Sequence, residues 1–279
     1  MRTVITPDGR TLAVEQWGVP GGTPVFSLHG SPMSRLARYP DGGVFSDLGI
    51  RLITYDRPGF GSSTPHPGRR VRHAAADVAA IADSLRLDRF AVFGVSGGGP
   101  HALACAALLP DRVTRAGTLA SLAPRDAAGL DWTAGMAELN QVSAHAAARG
   151  RDAVAAHITA AGTAGPPVLP EIERAVLARP DIQDMIGRAF TEAVRPGPTG
   201  WIDDVSALFG EPWGFDPEEI THPVRLWHGA LDTLVPVSHA HWLAARIPSA
   251  ELTCDPDTGH AGHFDATPAM LRWLVSTEG

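Results

Sequence analysis

Lysine is absent from this chain of 279 residues, and all 23 basic side chains are arginines. They are outnumbered by 30 acidic side chains, which sets the formal net charge at −7 at pH 7. Nucleic acids and anionic membranes are bound through basic faces, so this balance disfavours both as partners. We expect the local cluster of Arg69, Arg70 and Arg72 to be solvated surface.

Cysteines and long apolar runs are also scarce. The two cysteines, Cys105 and Cys254, lie in apolar segments, which predicts buried, reduced side chains and no disulfide. No group of Cys and His residues has metal-ligand spacing, so no metal is predicted, and no organic cofactor is implied. No apolar run is as long as a membrane span, and the first residues lead into a strand pattern and not a signal peptide. The expected location is the cytoplasm, and the oligomeric state is left open.

Hydrophobic residues make up 44% of the chain, a share typical of soluble globular proteins. Strand and helix patterns alternate in residues 1–124 and again in 216–279, which predicts an α/β core with a parallel sheet and helices on both faces. Residues 125–215 are alanine-rich, with helical patterns and no strong strand signal. We therefore expect one α/β core domain with a helical insertion, a cap or lid, at 125–215.

A Gly-x-Ser-x-Gly turn is the most informative motif. The apolar segment Phe90–Val95 predicts a buried strand, and the residues from Pro100 onward predict a helix. A sharp elbow between strand and helix holds its serine in a strained backbone conformation, so the positions two before and two after it must be small. Here they are Gly94 and Gly98. This arrangement predicts Ser96 as a nucleophile.

A serine hydroxyl is a weak nucleophile until a base takes its proton, and the expected base is a histidine oriented by a carboxylate. On scaffolds with this elbow, the acid and then the base follow later strands of the chain. Asp232 is the one carboxylate in the loop after the strand at 223–227, and His260 follows a glycine at the crest of the loop after the last strand. We predict Asp232 as the orienting acid and His260 as the base.

Each of these assignments has an alternative. Asp232 could instead cap the helix that follows it. His263 competes with His260 as the base, although it lies nearer the start of the last helix, where a histidine is more often a packing or capping residue. The other histidines of the motif-bearing segments have no Ser–Asp context, and we expect solvated or core positions for His29, His101, His228, His239 and His241.

The oxyanion formed during acyl transfer requires two N–H donors. We predict the first from Gly97, directly after Ser96, and the second from Ser31, in the loop after the third strand. Pro32 has no N–H, and its ring restricts the backbone before it, which helps to hold the Ser31 N–H in place. The alternative for this loop is an ordinary tight turn.

Five segments carry a resemblance to a known family: His29–Pro32, Asp56–Ser63, Gly94–Gly98, Gly229–Asp232 and Gly259–His260. In order and spacing they resemble the α/β-hydrolase superfamily, and within it the cap-bearing branch of esterases, lactonases, C–C bond hydrolases and proline iminopeptidase-like enzymes. The resemblance implies an α/β-hydrolase fold, with a mostly parallel eight-stranded sheet, helices on both faces and an inserted helical cap. It also implies a small-molecule substrate.

Departures from this branch narrow the implied reactions. Epoxide hydrolases and haloalkane dehalogenases of the branch use an aspartate nucleophile, where this chain has Ser96. Proline iminopeptidases typically carry His-Gly-Gly-Pro-Gly and Asp-Gln-Arg-Gly. This chain departs from the first pattern at Ser31 and Met33 and from the second at Arg57 and Pro58. These departures disfavour a peptidase. A cofactor-free haloperoxidase or perhydrolase side activity would use the same triad.

Large apolar side chains in the insertion predict a dry pocket above the serine. Trp132 and Met136 have the spacing of one helix face just past a strand end, and we expect this pair to contribute to the substrate pocket. Arg57 and Arg125 are the candidates for a pocket cation that would bind a carboxylated substrate.

We therefore predict hydrolysis of a small, largely apolar carboxylic ester, thioester or lactone through an acyl-enzyme on Ser96. The alternative among enzymes is a C–C bond hydrolase acting on a diketone. Faster turnover of a ring-cleavage dienoate than of simple esters would indicate this alternative. The alternative outside enzymes is a ligand-binding protein on a hydrolase scaffold, because one fold hosts many functions. Tight ligand binding with negligible turnover would indicate the latter.

Overall fold

The computed structural model describes residues 1–161 and 169–276. An eight-stranded sheet in the order β1-β2-β4-β3-β5-β6-β7-β8 forms its centre. The strands are β1 (Arg2–Ile5), β2 (Thr11–Gly18), β3 (Thr23–Leu28), β4 (Ile50–Tyr55), β5 (Phe90–Val95), β6 (Val113–Leu119), β7 (Val224–Gly229) and β8 (Ala250–Asp255). Strand β2 pairs antiparallel with β1 and β4, and the other neighbours are parallel. The predicted α/β class and the mostly parallel eight-stranded sheet are confirmed.

Helices of the core cover both faces of this sheet. They are α1 (Gly43–Asp47), α2 (His73–Ser84), α3 (Gly98–Leu108), α9 (Ser238–Arg246) and α10 (His263–Leu274). The sequence predicts all of them except α1, whose 5 residues are little more than one turn and show no helical period. Its Phe45 is nevertheless buried.

Strand β5 shows how the core is divided between the two faces. Phe90 and Val92 pack on one face with α2 and α3, whereas Ala91 and Phe93 pack on the other with α1 and α10. Successive side chains of a strand point to opposite faces, and a parallel strand covered on both sides is apolar throughout. The continuous apolar run before Ser96 follows from this burial.

The helical insertion lies between β6 and β7. In the described part of the chain it contains α4 (Glu138–Ala147), α5 (Arg151–Ala161), α6 (Glu171–Leu177), α7 (Pro180–Val194) and α8 (Thr199–Phe209). Helix α8 is the one most deeply set against the core, with Val205 and Leu208 buried in the main apolar cluster. The exact limits at 125 and 215 stay a prediction.

The helix predicted around Trp132 and Met136 is wrong. Residues 132–135 form turns and no helix, and Gly135 has φ +79°, a left-handed conformation that is incompatible with a continuing helix and that glycine adopts without strain. Both side chains are buried all the same, and Trp132 Nε1 donates to the carbonyl of Ala123 at 3.0 Å.

The cysteines behave differently from each other. Both are free thiols, as predicted, but Cys105 is buried in α3 and Cys254 is exposed. The prediction of a buried Cys254 is wrong because β8 is the last strand of the sheet, and several of its side chains face solvent. Between residues 1 and 161 and between 169 and 276, none of the helices has the length and apolar character needed to cross a membrane.

Candidate active site

The turn after β5 has the strained geometry that its sequence predicts. Ser96 adopts φ +53°, and its N–H donates to the carbonyl of Leu119 at 2.8 Å. A methyl group on Gly94 would collide with the backbone of Gly98, and one on Gly98 would collide with the carbonyl of Leu28. The two glycines therefore let the chain reverse direction at Ser96, which stands at the carboxyl end of β5, between strand and helix.

Asp232 lies in the loop after β7, and its two carboxylate oxygens have separate partners. Oδ1 accepts from the backbone N–H groups of Leu234 and Val235, each at 2.8 Å. Oδ2 lies 2.7 Å from Nδ1 of His260, in the loop after β8. Helix α9 begins only at Ser238, so Asp232 orders its own loop and does not cap the helix.

The electrostatics keep this carboxylate charged. Burial raises the pKa of the Asp232 carboxyl, but the charge of His260 and hydrogen bonds from His228 and His260 outweigh burial and hold the pKa well below its usual range. Burial likewise lowers the pKa of His260, yet the charge of Asp232 and the hydrogen bond to it, with a contribution from Glu173, raise that pKa above its usual value. The pair is therefore arranged to stabilise an imidazolium.

His263, the competing base, has a different environment. Its pKa falls to about 3 because burial, and then the charge of His260, disfavour protonation. The two rings lie 6.0 Å apart, and Nδ1 of His263 has no hydrogen-bond partner in the described part of the chain. Since Asp232 orients His260 and not His263, the geometry favours His260 as the base.

His228 is a residue of the site that the sequence did not reveal. Nε2 lies 2.7 Å from the carbonyl of Val235 and 3.3 Å from Oδ2 of Asp232, and the ring is buried. The hydrogen bond to a carbonyl places the ring proton on Nε2, so the same proton faces the carboxylate. A core position was expected, but the contact with Asp232 was not. The spacing of four residues across the end of β7 was the available signal.

The predicted oxyanion donors lie beside each other. A methyl group on Gly97 would lie 3.5 Å from Ser31 N, and one on Gly30 would lie 3.5 Å from Ser96 Cβ. In residues 1–161 and 169–276, neither the Gly97 N–H nor the Ser31 N–H has a hydrogen-bond acceptor. Two unpaired N–H groups next to a strained serine form a suitable site for an oxyanion.

Arg57 lies behind the oxyanion loop and is not a cation of the pocket, so that expectation is wrong. Its guanidinium is buried, and it donates to the carbonyls of His29 and, at 3.3 Å, Gly30. The Gly30 carbonyl and the Ser31 N–H belong to one trans peptide and point in opposite directions. The cation therefore polarises the N–H that is predicted to hold the oxyanion.

A carboxylate of the insertion balances this cation. Asp204 on α8 lies 2.5 Å from Arg57 Nη2 and 2.6 Å from Arg69 Nη2, and all three side chains are buried. The expectation that Arg69 is a solvated surface residue is therefore wrong. Burial raises the pKa of Asp204, but the two guanidinium groups outweigh it and hold that pKa far below its usual range. The second expected pocket cation, Arg125, stacks instead over Trp132 with its Cζ 5.1 Å from the ring centroid.

Replacing Asp204 is expected to cost stability. Asp204→Ala leaves Arg57 and Arg69 buried without their counter-charge, a change that typically destabilises by about 3–5 kcal/mol. Urea unfolding monitored by circular dichroism gives the free energy of unfolding. The matched control is Glu211→Ala, which removes a half-exposed partner of Arg70 and should cost less than about 1 kcal/mol. Equal losses in the two variants would contradict the role given to the buried ion pairs.

Comparison with known proteins agrees with this architecture. The model of the alpha/beta hydrolase fold family matches residues 23–267, and the chain belongs to that family. A non-heme chloroperoxidase from Streptomyces lividans is 36% identical over 126 residues, 44% of this chain and 46% of the relative. A proline iminopeptidase from Xanthomonas citri is 36% identical over 107 residues, 36% of this chain and 33% of the relative. This chain thus spans less than half the length of these curated relatives.

Structural similarity to a solved structure covers nearly the whole chain. An esterase from Exiguobacterium antarcticum superposes with a TM-score of 0.70, covering 98% of this chain and 97% of its own, at 21% identity. At this identity the likeness establishes the fold. The family model confirms the superfamily expected from the motifs, and the solved structure confirms the fold.

Proposed function

We propose that this chain is a serine hydrolase that cleaves a small, largely apolar carboxylic ester, thioester or lactone. The observation that carries the proposal is the 2.7 Å hydrogen bond between Asp232 and His260 at the ends of two neighbouring parallel strands, β7 and β8. Ser96 stands at the same edge of the sheet, at the end of β5. Nucleophile, base and acid then have the roles of a Ser-His-Asp triad.

The proposed reaction has two halves. Ser96 Oγ attacks the carbonyl carbon while His260 Nε2 takes the hydroxyl proton, and the N–H groups of Ser31 and Gly97 bind the oxyanion. Collapse of the tetrahedral intermediate expels the alcohol or thiol, which receives that proton, and leaves an acyl group on Ser96. Water then attacks the acyl-enzyme while His260 takes a proton from it. As this second intermediate collapses, His260 returns the proton to Ser96 Oγ, and the carboxylic acid leaves. Asp232 stays ionised throughout.

We propose the chemical class of the substrate from the buried apolar side chains that precede and line the insertion. The buried side chains of Trp132 and Met136 support a dry pocket, and we propose that they contact the acyl or alcohol group. Trp132 packs edge-on against Phe209 of α8, with ring centroids 5.2 Å apart, which connects this pocket to the insertion. Of the two candidate cations, Arg57 is ion-paired with Asp204 and Arg125 stacks over Trp132. We therefore propose an uncharged substrate.

The experiment is a panel of p-nitrophenyl esters of increasing acyl length, with rates followed by absorbance. Turnover with a maximum at short or medium acyl chains supports the proposal, and the chain length at the maximum indicates the size of the acyl pocket. A prolyl p-nitroanilide is included because a curated relative is a proline iminopeptidase. Cleavage of the anilide without cleavage of any ester would indicate a peptidase and contradict the proposed esterase activity. Absent turnover together with no labelling of Ser96 by a fluorophosphonate would refute a serine hydrolase of any kind.

The pH dependence of the reaction follows from the environment of His260. The base acts only when neutral, and the pKa of His260 is raised above its usual value by Asp232 after burial has lowered it. The rate constant kcat/KM should therefore increase with pH, with its acid limb above the ordinary histidine value of about 6.5. Measuring kcat/KM across roughly pH 5 to 9 gives the limb. An acid limb below that ordinary value would contradict the assignment of His260.

A further inference from the structure

A carboxylate from the insertion contacts the loop that carries His260. Glu173 lies on α6, and its side chain is buried, at 2% exposure. Oε1 accepts from the backbone N–H of His260 and Oε2 from that of Ala261, each at 2.6 Å. Both oxygens of one side chain thus bind the backbone at the position of the proposed base.

The loop is shaped to receive this carboxylate. A methyl group on Gly259 would collide with Glu173 Oε1 and would lie 3.4 Å from Ile172 Cγ2, so the glycine before His260 opens the space that the carboxylate occupies. Bonds from a carboxylate to N–H donors are charge-assisted and stronger than neutral ones. The contact is therefore specific in shape and in charge.

We infer that Glu173 is a positioning residue for His260, through which the seating of the insertion on the core controls the orientation of the base. The inference rests on the proposed function. His260 is held at two points, its imidazole by Asp232 and its backbone by Glu173. With both points fixed, Nε2 has little freedom to move away from Ser96, and small displacements of a catalytic group are costly.

The charges around His260 come from several elements. Asp232 follows β7, His228 lies at the end of β7, His263 begins α10 and Glu173 comes from α6. In the described chain, no arginine forms an ion pair with Glu173. Its charge is therefore directed at the two N–H groups and at the imidazolium that forms when His260 takes the proton.

The test compares Glu173→Gln with Glu171→Gln. Glu171 lies on the same helix but is exposed and pairs with Arg174, so its variant controls for a lost charge on α6. For Glu173→Gln we expect kcat to fall about tenfold to a hundredfold with a small change in KM, since an amide cannot accept both N–H bonds. The acid limb of kcat/KM should move to lower pH, because removal of a negative charge favours neutral His260. Glu171→Gln should leave both quantities unchanged.

A measurement without turnover separates this inference from the proposed function. NMR titration of the His260 imidazole should give a lower pKa in Glu173→Gln than in the wild type or in Glu171→Gln. If no ester is hydrolysed, the proposed function fails, but the titration still shows whether Glu173 influences the His260 imidazole. If esters are hydrolysed but kcat and the titration are those of wild type, Glu173 has only a structural role and the inference is overturned.

A second variant keeps the test decisive if Glu173→Gln does not fold. Glu173→Asp retains the charge but is shorter by one methylene, so its oxygens no longer reach both N–H groups. We expect a lower kcat with a smaller shift of the acid limb than in the glutamine variant. A wild-type kcat in a folded Glu173→Asp protein would contradict positioning through the backbone of His260.

Discussion

Ser96→Ala is expected to abolish ester hydrolysis, with kcat falling by about 10⁴-fold or more. The variant lacks the nucleophile, while the N–H groups of Gly97 and Ser31 and the Asp232–His260 hydrogen bond are unaffected. The residual rate would come from binding and from the oxyanion donors alone. The fold should persist, because the position has φ +53° in either case and serine and alanine differ by a single oxygen. Initial rates on the best p-nitrophenyl ester give the effect.

The control for Ser96→Ala is Ser62→Ala, which removes an exposed hydroxyl that accepts from Arg195 at 2.6 Å. It should retain wild-type kcat and react with a fluorophosphonate as wild type does, whereas Ser96→Ala should not react. Intact-mass spectrometry reports the added phosphonyl group. A Ser96→Ala rate within tenfold of wild type would mean that another group is the nucleophile.

Asp232→Asn should have the next largest effect, a loss in kcat of about 10⁴-fold. Two backbone N–H groups, those of Leu234 and Val235, point at Oδ1, so the amide oxygen will occupy that position. The amide NH₂ then faces Nδ1 of His260, which must become an acceptor. The ring proton moves to Nε2, and this tautomer cannot take a proton from Ser96.

The control for Asp232→Asn is Asp257→Asn, which replaces an exposed carboxylate in the loop after β8. Asp257→Asn should leave kcat unchanged, because its side chain contacts none of the triad. The NMR tautomer of His260 supplies a second readout: Nε2–H in Asp232→Asn and Nδ1–H in the wild type. A wild-type tautomer together with a wild-type rate would remove Asp232 from the mechanism.

Local signals in the sequence account for much of the fold and the site. The apolar run of β5, the glycines around Ser96 and the turn-rich loops after β7 and β8 each report a constraint that acts within a few residues. These signals predict the α/β class and the loops that carry Asp232 and His260, whereas the eight-stranded sheet and the pairing of the two residues follow from the resemblance to the family and its chain order. The helix expected around Trp132 and Met136 is wrong because the spacing of these two side chains is compatible with a helix, but the left-handed backbone of Gly135 between them is not.

By itself, the sequence determined the sheet class, the elbow at Ser96 and the loops that present Asp232 and His260, because these depend on neighbouring residues. The tertiary structure alone decided which charges support that machinery. Arg57 meets Asp204 from 147 residues away, and Glu173 meets His260 from 87 residues away. A buried charge is stable only beside its partner, and no local pattern encodes a partner that the folding of the insertion onto the core brings into place.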